Sequence, residues 1–472
     1  MIIFSAEREF LMKIAKKSRL YDVSQIQWNN MMFSRTDLRK LLVPLMLQQL
    51  LSSFMGMADT MMVSRVGSAA ISAVSLVDSI NVLMIELLSA LATGGTIICS
   101  QYLGHGDKSK ANEAARQVLV TVLMISVPVG LVCFFLRRPL LSLIFGTVDQ
   151  EVMDGGVAYF FYTSLSFPFI ALFETGAAFF RSDGNSRLPM VISIACNCMN
   201  IVGNAFFIFG LQMGTGGAAL STLISRIASA VIIFYFLRKP RQSIVIDHYL
   251  SIRPDAAMIR RVLSIGLPSG VENSMFQFGK LVIQSSVSTL TTAQIAANAM
   301  VIVMENLNGI AGIGVGIGLM TVVGQCVGAD RTEEAKYYIV KISEFGWFVV
   351  LASCIIVYVF CRPVITLAGM EPSAASMCMD MMTFVTIVKP LVWVQAFIPP
   401  YGMRAAGDVK FSMITSSLTM WLCRVLMTTL LIRVFHFGPI AVWIGMSSDW
   451  LCRGIVYSVR FLSGKWLWHK VI

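Results

Sequence analysis

Twelve ionisable side chains stand inside long apolar stretches of this 472-residue chain: Asp59, Asp78, Glu86, Glu174, Arg226, Glu272, Lys280, Glu305, Lys389, Arg424, Asp449 and Arg453. In hydrocarbon each such charge costs roughly 2.5–3.5 kcal/mol on insertion scales, so it must pair, be neutralised or face a wet interior. So many of them imply a path for a solute rather than a simple anchor. Asn197, Asn200 and Asn204 recur at i, i+3 and i+7 and so share one helix face. Together with Asp59 they offer the oxygen ligands that a hard cation requires. The alternative is that the amides only hydrogen-bond between helices.

The elements that carry these residues follow from composition. The chain is 56% hydrophobic and 13% charged, where a soluble protein carries about 25% charged residues. Most apolar runs exceed the ~20 residues that span a bilayer. Helices are expected, because each span then satisfies its own backbone. Spans are read near 41–64, 71–101, 117–136, 156–180, 189–211, 218–237, 262–290, 295–325, 341–361, 378–403, 412–433 and 439–459. An even number leaves both termini on one side. That side collects 27 Lys and Arg against 5 on the other, which places both termini in the cytoplasm of a cell-membrane protein. The net charge of +11 is therefore topological and does not call for nucleic acid. The expected partners are the lipid bilayer and a small-molecule substrate, and the chain is expected to act as a monomer.

The second half of the chain repeats the first. Shifted back by 224 positions, Pro268 falls on Pro44, Gln325 on Gln101 and Gly328 on Gly104; further on, RAAGDVKFSM from Arg404 falls on RSDGNSRLPM from Arg181. Each copy holds six spans, so the copies enter the membrane in the same orientation and are expected to be related by a pseudo-twofold axis along the membrane normal. The fold class is all-α integral membrane, with twelve transmembrane helices in two six-helix lobes. The divisions are a cytoplasmic amino-terminal segment at 1–40, the first lobe at 41–237, a cytoplasmic linker at 238–261, the second lobe at 262–460 and a cytoplasmic tail at 461–472. The segment at 1–40 reads as a solvated arm or a short amphipathic surface helix.

Differences between the copies point to function. Asp59, Asn200 and Asn204 correspond to Ile283, Cys423 and Met427, so only the first copy has an oxygen-rich cluster. In the second copy Gly56 becomes Lys280, Asn81 becomes Glu305 and Gln48 becomes Glu272. Lys280 and Glu305 lie at similar depth on either side of the turn near 292 and are expected to pair across the hairpin, either structurally or in handling substrate or protons. Glu272, about 12 Å along the helix from Lys280 at 1.5 Å per residue, is left to contact substrate. Asp449 and Arg453 at i, i+4 read as a structural pair. Asp330, with Glu333 three residues later, resembles a capping box opening a helix.

Several chemistries are excluded. GIAGIGVGIG lacks the Lys-Ser/Thr of a phosphate loop and follows no strand. The four histidines are scattered, no nucleophile–base pair is apparent, and neither an enzyme nor a resident cofactor is expected. The 10 cysteines read as small buried residues, with Cys361 and Cys378, flanking one external loop, as the one candidate disulfide.

MADTMMV in the first span, VGQCVGAD, NIVGNAFFIFG with GTGGAALSTLIS, and RAAGDVKFSM together resemble the multidrug and toxic compound extrusion (MATE) family of secondary transporters. The resemblance covers nearly the whole chain beyond residue 40. It implies a V-shaped pair of six-helix lobes around a central cavity. It also implies an antiporter that exports amphipathic, chiefly cationic, small molecules or drugs in exchange for Na+ or H+ by alternating access. The family's cation site carries over onto Asp59, Asn200, Asn204 and Thr222, with Na+ as a candidate coupling ion. Asn204 departs from the family, many members of which have an acid there. The alternative reading is a lipid-linked precursor flippase of related architecture.

Overall fold

A computed structural model of the chain describes residues 20–146, 149–240, 242–246, 253–469 and 471–472. The amphipathic surface helix considered for the amino-terminal segment would fall mainly on residues 1–19, outside the described residues, as do residues 241 and 247–252 of the linker at 238–261.

Every long element is a helix. In chain order they are α1 Arg35–Ser64, α2 Ser68–Gly104, α3 Lys108–Phe135, α4 Arg137–Phe145, α5 Gln150–Leu165, α6 Phe167–Ser182, α7 Arg187–Gly210, α8 Gly214–Leu237, α9 Ala256–Val287, α10 Thr292–Gly328, α11 Thr332–Leu367, α12 Pro372–Ala405, α13 Val409–Arg433 and α14 Ile440–Leu462. Among the described residues nine of them are long and apolar enough to cross a membrane, or ten when α5 and α6, bent by 42° at Ser166, count as one broken span. α9 and α14 occupy the two remaining positions of the expected twelve. Their charges (Arg260, Arg261, Glu272 and Lys280 on one, Asp449, Arg453 and Arg460 on the other) make them less apolar.

The residues fall into two compact units. One comprises Met1–Leu42, Ser100–Gly106 and Met275–Ile472; the other comprises Val43–Cys99 and Asp107–Ser274. The first unit has a core of Ile283, Val301, Met304, Met381, Met382, Met420 and Trp443. Methionine serves there as an adaptable gap filler. Within the same unit the ends of α2 and α10 cross through repeat-related glycines. A Cβ on Gly104 would lie 2.0 Å from the Gln325 carbonyl oxygen, and one on Gly328 2.0 Å from that of Gln101, so only glycine permits the approach.

Helix ends show how local sequence sets the boundaries. Asp107 caps α3 by accepting from Lys110 N at 2.9 Å, and Thr291 with Gln294 forms a capping box on α10. The capping box expected at Asp330 is not formed. Asp330 takes φ +57° and ends α10, while Arg331 N closes back onto the Cys326 carbonyl at 2.9 Å, a left-handed helix stop. Its repeat mate Gly106 also takes a positive φ, +82°. Glu333 is left to accept from Asp22 N at 2.7 Å.

That bond belongs to an arm from residue 21 to 33 that lies along the start of α11. Met32 N donates to Glu334 Oε1 at 2.7 Å, and the Tyr338 hydroxyl accepts from Phe33 N and donates to Phe33 O at 3.1 and 2.8 Å. Tyr21 and Trp28 meet the Tyr337 ring edge-on. This part of the amino-terminal segment is docked rather than solvated. Cys361 and Cys378 are both buried free thiols.

Candidate functional site

The amino-half cluster assembles from three helices. α1 supplies Asp59, α7 supplies Asn200 and Asn204 from its shared face, and α8 supplies Ser221 and Thr222. Asn204 Nδ2 donates to Asp59 Oδ1 at 2.8 Å. Asn204 is 1% exposed, and its Oδ1 has no hydrogen-bond partner. α7 becomes π-helical immediately after Asn204, over Ala205–Gly210, a local widening that recurs at functional positions.

The Asn200 amide admits two orientations. In one, Nδ2 faces Ser221 Oγ and Thr222 Oγ1, each at 3.3 Å, and the amide oxygen faces the Asp59 carboxylate. In the other, Nδ2 lies 3.0 Å from both Asp59 oxygens, while Oδ1 accepts from Thr222 N at 3.1 Å and from Thr222 Oγ1 and Ser221 Oγ at 3.3 Å. The second turns the Asn200 N–H groups to a bare carboxylate and leaves the Asn204 Oδ1 without a partner. The first sets oxygen against oxygen and requires a proton or cation between them.

All four residues expected in the cation set, Asp59, Asn200, Asn204 and Thr222, are therefore brought together. Ser221, whose hydroxyl donates to the Asn200 backbone carbonyl at 2.8 Å, was not among them. A second polar group in the same unit was likewise not anticipated. Asp78 Oδ1 accepts from Tyr159 and from Asn81, both at 3.2 Å, and Arg226 donates to Ser166 Oγ at 2.6 Å where the span breaks.

The carboxyl half carries a different set. The expected buried Lys280–Glu305 pair gives way to another. Glu305 on α10 takes the ammonium of Lys389 on α12, whose Nζ bonds both the carboxylate and, at 2.9 Å, the Glu305 carbonyl. Lys389 is 1% exposed and also lies 5.4 Å from the Trp393 ring centroid. Lys280 is exposed and rests on Phe276, 4.9 Å from its centroid. The reason is packing: α10 meets α12 more extensively than any other helix, so proximity along the hairpin does not select the partner. The expected Asp449–Arg453 pair is present at 3.0 Å and gains Arg424 from α13, also at 3.0 Å. Glu272 is buried on α9. Beside it, Asn273 donates to Glu86 Oε2 at 3.0 Å. No group of three or more His, Cys, Asp or Glu that could hold a metal ion occurs among the described residues.

Comparison with known proteins bears on the family and the fold. The MatE family model matches the chain twice, over residues 44–206 and 268–430, each match beginning on one of the repeat-related prolines. The chain is 27% identical over 433 residues to the uncharacterized transporter YisQ of Bacillus subtilis, covering 90% of this chain and 93% of that one. It is 24% identical over 445 residues to the probable multidrug resistance protein NorM of Thermotoga maritima, covering 92% and 93%. Among solved structures, an outward-facing multidrug resistance MATE family transporter of the MOP superfamily superposes with a TM-score of 0.85 at 19% identity, covering 91% of this chain and 96% of the other. A MOP superfamily transporter from Pyrococcus furiosus superposes at 0.84 with 19% identity, covering 92% and 96%. With two family matches at the spacing of its internal repeat, an all-helical membrane fold and relatives that align along nearly its full length, the chain belongs to the MATE family of membrane transporters and is not an enzyme.

Proposed function

We propose that the chain is a cation-coupled antiporter. It exports amphipathic, chiefly cationic, small molecules or drugs in exchange for Na+ or H+ by alternating access, as a monomer with both termini in the cytoplasm. The multidrug resistance name of the Thermotoga relative supports the substrate class. The observation that carries the coupling mechanism is Asp59 set among amides. Its neighbour Asn204 keeps a buried oxygen without a partner, and Asn200 meets the bare carboxylate with its amide nitrogen.

In this reading the bare Asp59 carboxylate is held by the Asn204 amide N–H and by Asn200 turned nitrogen-first. A proton or Na+ arriving from outside removes the cost of the buried charge and turns the Asn200 oxygen toward Asp59. Na+ as the transported ion would be held by Asp59 with the free Asn204 oxygen, the Asn200 oxygen and Thr222 Oγ1, an all-oxygen set of the kind hard cations take. Repacking of α1, α7 and α8 then weakens the hold on substrate. The membrane potential adds roughly 2.3 kcal/mol per charge per 100 mV to inward cation movement.

The test is dye efflux from proteoliposomes under Na+ and H+ gradients imposed one at a time. At least one gradient is expected to accelerate efflux above that of protein-free liposomes. Efflux indifferent to both gradients and to the potential would reject coupled antiport.

A further inference from the structure

A groove of about 770 Å³ opens on the carboxyl-half unit between α11, α12 and α14, lined by Ser343, Trp347, Phe348, Pro399, Phe461 and Leu462. Its size is that of a small-molecule site, and none of the groups assigned to coupling lies in it. Its walls are chiefly apolar, with Gln395 and Ser458 among them, and Phe348 is 64% exposed, so in a membrane an acyl chain is the expected filling. Two features go beyond a greasy cleft. Ser343 is 6% exposed, and its hydroxyl has no hydrogen-bond partner, although a helical serine ordinarily donates to the carbonyl four residues back. At the rim, Glu344, itself a lining residue, forms an exposed ion pair with Lys341 at 2.8 Å. Such pairs are held weakly, so both charges remain available to a ligand.

We infer that this groove is a phospholipid site selective for a zwitterionic head group bearing a primary ammonium, that is, an ethanolamine phospholipid. The acyl chain lies along Trp347, Phe348 and Phe461. The ammonium donates to the Glu344 carboxylate, the phosphate accepts from Lys341 Nζ, and the Ser343 hydroxyl donates to an ester or phosphate oxygen. The neighbouring opposite charges of Lys341 and Glu344 complement a head group that carries both signs. A choline head has no N–H to give Glu344, and a glycerol head leaves Glu344 facing a net anion.

The full-length chain in detergent would be titrated with dioleoyl phosphatidylethanolamine, phosphatidylcholine and phosphatidylglycerol and followed by native mass spectrometry. One ethanolamine lipid should bind about tenfold more tightly than the choline lipid, the worth of one charge-assisted hydrogen bond. Glu344→Gln should erase most of that preference while choline-lipid binding and the thermal midpoint stay unchanged, whereas Ser343→Ala, which removes a donor to an oxygen that all three lipids share, should weaken all three alike. Glu344 is exposed and Ser343→Ala removes one oxygen, so both variants are expected to fold. Equal affinity for the three lipids, tighter binding of the glycerol lipid, a preference that survives Glu344→Gln, lipid binding untouched by Ser343→Ala, or no retained lipid would each overturn the assignment.

Discussion

Asp59→Asn is expected to keep substrate binding and lose gradient-driven efflux, which should fall to the rate of protein-free liposomes. The substitution is nearly isosteric, and Asp59 is only half buried, so the fold should survive. What disappears is the change of charge. An asparagine cannot be ionised, and it meets Asn200 and Asn204 in one arrangement whether or not a cation gradient is present. An ion that no longer distinguishes two states shifts no equilibrium. The measurement is dye efflux by variant protein of verified insertion, alongside equilibrium dye binding. Efflux still driven by Na+ or H+ would move the coupling role away from Asp59, with Glu272 and Glu305 next in order.

The largest effect on stability is expected in the carboxyl half. Lys389→Met should lower stability by about 3–5 kcal/mol, the usual cost of leaving one member of a buried ion pair alone. Lys389 is 1% exposed and Glu305 8%, so water cannot take over, and the Glu305 carbonyl loses its ammonium as well. The double change Lys389→Met, Glu305→Gln should cost less than Lys389→Met alone, because the second substitution removes the stranded charge. Thermal midpoints of the wild type, both singles and the double in detergent give the coupling. Additive shifts would mean that the pair contributes only separate contacts. Lys280→Ala, on an exposed side chain, should change the midpoint little by comparison.

The contrast between those two lysines marks where the sequence was legible. The duplication, the helical class and the shared face of Asn200 and Asn204 were readable because each rests on a local rule. Apolar runs give spans, positions i, i+3 and i+7 give a shared face, and an offset of 224 aligns the copies. The family resemblance joined Asp59 and Thr222 to that face as one cation set, which spacing alone did not. Lys389 was not readable as the partner of Glu305, because that pairing depends on α10 packing against α12, 84 residues away. Arg424 was missed as a partner of Asp449 for the same reason, as was Tyr159 as a partner of Asp78. Asp330 was misread because a sequence suited to a capping box also suits a left-handed helix stop, and the Arg331–Cys326 bond that decides between them is set by how α10 ends. The two amide orientations of Asn200 are likewise invisible in sequence, since they depend on the atoms that surround the side chain.

Cation and substrate must favour different states if one is to drive the other, and by linkage each must then weaken the other's binding. The most direct measurement is equilibrium binding of a fluorescent organic cation to the purified wild-type chain as pH is lowered and, separately, as Na+ is raised at constant ionic strength. Affinity is expected to fall along at least one of these axes and to be insensitive along the same axis in Asp59→Asn. Dye affinity that is flat or rises along both axes in the wild type would contradict the antiport mechanism centred on Asp59.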